Sequence, residues 1–129
     1  MTDKSYRVSE VNKATQFTRG VVSGTTPAIG SWYMIGTAGT IELVNGSTIT
    51  RQPFVCTDYK TQGDGYVATL SDDCMINSNE STDFTIGVDY YSDNDGTMST
   101  TKTNTGWKVG TAIDARTFRV KVDEMRYEG

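Results

Sequence analysis

The sequence predicts an all-β protein, a single-domain antiparallel β-sandwich or barrel-like fold with a flexible N-terminal arm. Three observations point there. Leu occurs only at Leu43 and Leu70, while Thr, Val and Ile dominate, and β-branched side chains fit a pleated strand better than a helix. The 13 Gly against 2 Pro cut the chain into short segments joined by turns. Finally, Phe118, Val120 and Val122 alternate with Thr117, Arg119, Lys121 and Asp123, the period of a strand with one buried face. At 129 residues, 36 % of them apolar and 22 % charged, the chain suffices for one core and is short for two.

Residues 1–13 are polar and charged, with Tyr6, Val8 and Val11 the only large apolar positions. They are expected to form an arm outside the core, followed by a β domain over 14–129. Phe17–Val22 and Ser31–Gly36 read as the first strands, separated by the turn-rich GTTPAIG of residues 24–30. In residues 40–51, Asn45-Gly46 joins two strands, because both residues tolerate the positive φ of a tight hairpin turn. A two-residue loop would set Glu42 opposite Ile49. A three-residue loop with a bulge would set Leu43 there instead.

Phe54–Tyr59 and Tyr66–Leu70 form a second pair around Gly63-Asp64-Gly65. The polar stretch 71–83 is expected to be loop, with at most a short strand at Cys74–Ile76. Phe84–Tyr91 resumes strand character, and Asp93-Asn94-Asp95-Gly96 turns the chain. The Thr-rich residues 97–106 read as an exposed hairpin arm or a loop. Trp107–Ile113 and Thr117–Val122 complete about nine to eleven short strands. Gly46, Gly65 and Gly96 are assigned to turns, and Phe118, Val120 and Val122 to the core.

Composition narrows the function. The chain contains no His, which excludes Ser-His and Cys-His catalysis and His-based metal sites. A net charge of -4 gives no basic footprint for nucleic acid. No stretch approaches the roughly 20 apolar residues that span a bilayer as a helix. The opening MTDKSYRVSE lacks the apolar run of a secretory signal, so synthesis and assembly in the cytoplasm are expected.

The candidate chemical motifs favour plain structural readings. In Asp93-Asn94-Asp95-Gly96, the flanking positions where a calcium loop needs acidic ligands hold Tyr91 and Lys102, so a hairpin turn is expected. Asp72 and Asp73 are adjacent, point to opposite faces of a strand and cannot converge on one substrate; solvated charges are expected. Cys56 and Cys74 read as buried free thiols. Gly36-Thr37-Ala38-Gly39 lacks the Lys-Ser/Thr pair and the helix of a phosphate-binding loop. No catalytic residue, metal site or cofactor is expected. The pairs Trp32-Tyr33 and Tyr90-Tyr91 should each turn one ring inward and one outward, and an exposed ring makes an interface anchor.

Residues 83–122, DFTIGVDYYSDNDGTMSTTKTNTGWKVGTAIDARTFRVKV, add a more specific signal. The order of features resembles the C-terminal region of small tailed-bacteriophage capsid decoration and head-fibre proteins. Gly87, Val88, Asp89 and Tyr90 match that pattern's first strand, and Asp95-Gly96 its turn. Val109 to Ile113 match its VG-[IT]-A strand, and Phe118 to Val122 its last strand.

The resemblance implies a structural virion protein, a decoration or cement protein made in the host cytoplasm. It would sit on the outer capsid surface as a homotrimer, bind the major capsid protein and stabilise the head. Such elements also recur in fibre modules. The alternative is therefore a host-surface or glycan-binding module of a head or tail fibre, or a tail or connector structural protein. Tyr6, Arg7, Val8, Trp32, Tyr33 and Tyr91 are the residues expected at a capsid or subunit interface. No nucleic acid or membrane partner is expected.

Overall fold

The computed structural model describes residues 5–20, 26–36, 39–45, 51–63, 65–80, 83–93, 96–100 and 107–122. Eleven strands lie among them, in two antiparallel sheets. The six-stranded sheet runs, edge to edge, β1 (Tyr6–Ser9), β7 (Asp73–Ser78), β11 (Thr117–Lys121), β10 (Lys108–Ala112), β8 (Asp89–Ser92) and β9 (Met98–Ser99). The five-stranded sheet runs β2 (Phe17–Gly20), β6 (Gly65–Ser71), β5 (Phe54–Gln62), β3 (Trp32–Ile35) and β4 (Ile41–Leu43). A short 3-10 turn, Lys13–Thr15, lies between β1 and β2, and the Asn12 side chain accepts from the Ala14 N–H at its start.

The five-stranded sheet has a core on each face. Trp32, Met34 and Val55 point at the other sheet and pack with Cys74, Ile76, Val109, Phe118 and Val120. The opposite face carries Tyr33, Ile41, Cys56, Ala68 and Leu70, closed over by Phe17, Phe54 and Tyr66. The sheet curls to enclose this second cluster. A Cβ added at Gly20, the end of edge strand β2, would lie 3.9 Å from the Thr40 methyl just before edge strand β4. The register shift between Cys56 and Asp58 inserts Thr57 as an extra residue in β5, and such a bulge bends a strand. Sandwich and barrel-like features thus occur in one domain.

The strand alternation predicted at the C-terminus holds. Phe118 and Val120 are fully buried and Val122 packs against the same cluster. The β5–β6 hairpin also forms where expected, with Gln62 paired to Gly65. Three expectations need correcting.

Residues 6–9 are not an arm. They form an edge strand hydrogen-bonded to β7, with Tyr6 opposite Ser78 and Val8 opposite Ile76. Tyr6, Val8 and Val11 pack on the main core. Their burial offsets the entropy of ordering a polar segment.

Residues 73–78 are not loop. Strand β7 is paired on both sides, by β1 and β11. Cys74, Ile76 and Ser78 face inward and Asp73, Met75 and Asn77 outward. The inward row is small or polar except for Ile76, which hides the alternation.

The strand expected from Phe84 begins only at Asp89. Gly87, at φ +76°, sits in a turn that precedes it. The Asn45-Gly46 hairpin and its partner strand fall largely on residues 46–50, which lie outside the described residues. The same holds for residues 101–106 of the Thr-rich segment.

Candidate functional site

A cleft of about 350 Å³ opens between the two sheets, where Tyr6, Ser31, Trp32, Phe84, Tyr90 and Met98 converge. Its wall is an aromatic cluster. The Tyr6 ring stacks over Phe84 with centroids 6.2 Å apart, and Phe84 lies 5.6 Å from Phe118. Tyr90 meets Phe118 edge-on at 5.2 Å, and its hydroxyl accepts from the Thr85 N–H at 2.9 Å. The Trp32 indole Nε1 is buried and has no hydrogen-bond partner among the described residues. An aromatic wall of this kind supports packing and contact.

The residues expected at an interface are dispersed over the molecule. Tyr6 and Trp32 line this cleft, and Val8 points inward onto the core. Arg7 is exposed on the outer face of the six-stranded sheet. Tyr91 is half-buried while Tyr90 is buried, the one-in, one-out pair expected. Trp32 and Tyr33 depart from that expectation, being 0 % and 2 % exposed. Each ring enters a different core because the five-stranded sheet is covered on both faces. Tyr33 is anchored further by its hydroxyl, which accepts from the Ala28 N–H at 2.9 Å.

Three carboxylates, Asp72, Asp73 and Asp89, are held by side-chain hydrogen bonds. Asp73 is not a solvated charge. It meets Arg119 Nη1 at 2.6 Å and Lys121 Nζ at 3.6 Å, and accepts from Asn12 Nδ2 at 3.2 Å. Burial alone would raise its carboxyl. Hydrogen bonds from Asn12 and Arg119 and the charges of Arg119 and Lys121 outweigh burial and hold it below the usual carboxylate range.

Its neighbour Asp72 is pushed the other way, mainly by burial, although Gln52 Nε2 donates to it at 3.1 Å. The two adjacent carboxyls are thus shifted in opposite directions. Asp89 is held low chiefly by the Thr111 hydroxyl at 2.7 Å, with Lys108 at 3.4 Å adding its charge.

Cys56 and Cys74 are free and buried. Burial pushes their thiols up to about 11 and about 12 respectively. Among the described residues no three His, Cys, Asp or Glu side chains gather as a metal-binding group. No helix among them is long and apolar enough to cross a membrane.

Two contact candidates escaped the sequence reading. Ile86 and Ile113 are 65 % and 51 % exposed. They flank a backbone link in which the Gly87 N–H donates to the Ala112 carbonyl at 2.9 Å and the Ala112 N–H to Val88 at 3.2 Å. Read as one strand, Phe84, Ile86, Val88 and Tyr90 would all face inward. The turn at Gly87 breaks that period and leaves Ile86 outside. A Gly inside an apparent strand is the signal that marks such a break. Against known proteins, no family model matches the chain and no curated protein matches it.

Proposed function

We propose that this chain is a structural virion protein that decorates the outer surface of a phage head and stabilises it by binding the major capsid protein. The observation that carries this reading is the grouping of the decoration-like pattern of residues 84–122. Asp89 and Tyr90 of its first element lie on β8, Val109 to Ala112 on β10 and Phe118 to Lys121 on β11, and these three strands are consecutive in one sheet, with β9 at its edge. The described strands of the pattern therefore form one three-stranded unit of that sheet.

The exposed Ile86 and Ile113 at one end of that unit supply an apolar contact of the kind that anchors an interface. Assembly as a homotrimer would present three such contacts at once and raise avidity. The glycan-platform alternative is less well supported, because Trp32 is fully buried and Tyr91 only half exposed. The test is co-sedimentation with expanded heads that lack the protein, with host cells as a competing target. Saturable binding to heads at a fixed stoichiometry supports decoration, and binding to cells alone overturns it.

A further inference from the structure

We propose that a second cleft, on the outer face of the six-stranded sheet between Arg7 and Arg116, is an oxyanion-binding site that takes a carboxylate or phosphate group. The cleft has a volume of about 310 Å³ and is lined only by polar residues, Ser5, Arg7, Asn77, Ser78, Asn79 and Arg116. The strand register builds it. Arg7 of β1 pairs with Asn77 of β7, and Asn77 pairs with Thr117 of β11, so Arg7 and Asn77 stand side by side. Arg116 precedes Thr117, and its carbonyl accepts from the Ser78 N–H at 2.8 Å, which fixes it on the far side of β7. Two guanidinium groups thereby flank one asparagine.

Charge bookkeeping on this sheet singles the two out. Arg119 and Lys121 both contact the Asp73 carboxylate, and Lys108 contacts Asp89. Among the described residues, no carboxylate lies within ion-pair distance of the Arg7 or Arg116 guanidinium. Asp114 accepts the Arg116 backbone N–H at 2.8 Å, and its carboxylate interacts with the Arg116 charge without forming an ion-pair contact. In a chain of net charge -4, two arginines on one cleft without an ion-pair contact among the described residues are a local concentration of positive charge. An oxyanion seated in the cleft can accept from both donor forks.

The neighbouring polar groups are held in place. Asn77 Nδ2 donates one hydrogen to Ser9 Oγ at 2.9 Å and keeps the second. Asn79 Oδ1 accepts from the Ser5 N–H at 2.9 Å.

The site stands apart from the decoration reading and is tested on the free protein. Inorganic phosphate and glutarate are titrated separately into the full chain at constant ionic strength, with chloride as the reference anion, and the arginine side-chain Nε–H resonances are followed. The expected result is a saturable shift confined to Arg7 and Arg116. Arg7→Gln and Arg116→Gln should each weaken the tighter anion by about tenfold, as removal of a charge-assisted fork implies. Lys60→Gln, on exposed β5, should leave it unchanged.

Both arginines are exposed, so the variants should keep the parent unfolding midpoint, and that is measured alongside. Tighter phosphate binding would identify a phosphate site, and tighter glutarate binding a site for acidic side chains. Shifts that never saturate, or that match chloride, would overturn the proposal. So would equal shifts in both Gln variants and the parent.

Discussion

Gly96 lies directly against Trp32: a Cβ added at Gly96 would come within 2.8 Å of the Trp32 carbonyl oxygen and would also strike the Leu43 side chain. The Gly96 N–H donates to the Val44 carbonyl at 2.9 Å, and the Val44 N–H to Trp32 at 3.2 Å. The turn that leads into β9 is thus bonded to the end of the five-stranded sheet, and one glycine joins the two layers.

Gly96→Ala should therefore destabilise the protein by about 2–4 kcal/mol, since it combines a left-handed φ of +71° with a backbone clash. Gly65 has open space around its α-carbon and no left-handed φ, so Gly65→Ala should change stability by less than about 1 kcal/mol. Urea unfolding of both variants checks the contrast. Equal effects at the two positions would mean that the Gly96 contact does not hold the layers together.

The adjacent Asp72 and Asp73 should respond oppositely to neutralisation. The Asp73 carboxyl is held below its unfolded value of about 3.9 and so contributes stability above that pH. This contribution is lost as pH falls through the folded value. Asp73→Asn should cost about 1–3 kcal/mol at pH 7, through its bonds to Arg119 and Lys121, and should flatten the loss of stability below about pH 4. Asp72 is raised, mainly by burial, so its ionised form is the less favoured one when folded. Asp72→Asn should be neutral or stabilising at pH 7. Unfolding midpoints measured from pH 2 to 8 decide the signs.

The thiols offer a readout of core integrity. Cys56 and Cys74 lie in the two different cores and are raised to about 11 and about 12. Neither should react with a disulfide reagent at pH 8 in the folded protein, and both should react once it is unfolded. Rapid reaction of Cys56 alone under native conditions would show that the curled sheet opens separately.

Most of the fold was legible from period and turn chemistry. Phe118, Val120 and Val122 announce a buried strand face, and Gly63 to Gly65 a hairpin. Strand β7 was hidden because its inward positions include Cys74 and Ser78, small groups that do not register as apolar. The N-terminal strand was hidden for a related reason. Tyr6 and Val8 become a strand only through pairing with β7 and stacking on Phe84, a segment distant in sequence.

The candidate contact sites were less legible than the fold. Trp32 and Tyr33 suggested one exposed ring by alternation, but alternation does not tell whether the second face of a sheet is covered. The two-arginine cleft depends on the register of three strands, which local pattern does not fix.

Head decoration is tested by co-sedimentation of the purified protein and its Ile86→Asp/Ile113→Asp variant with expanded heads lacking the protein. Both isoleucines are exposed, so the variant should fold with little loss of stability. The parent should bind saturably at a fixed number of copies per head and the variant at least tenfold more weakly, the scale expected when interface anchors are lost. Absence of parent binding to heads, or binding to host cells in its place, would contradict head decoration.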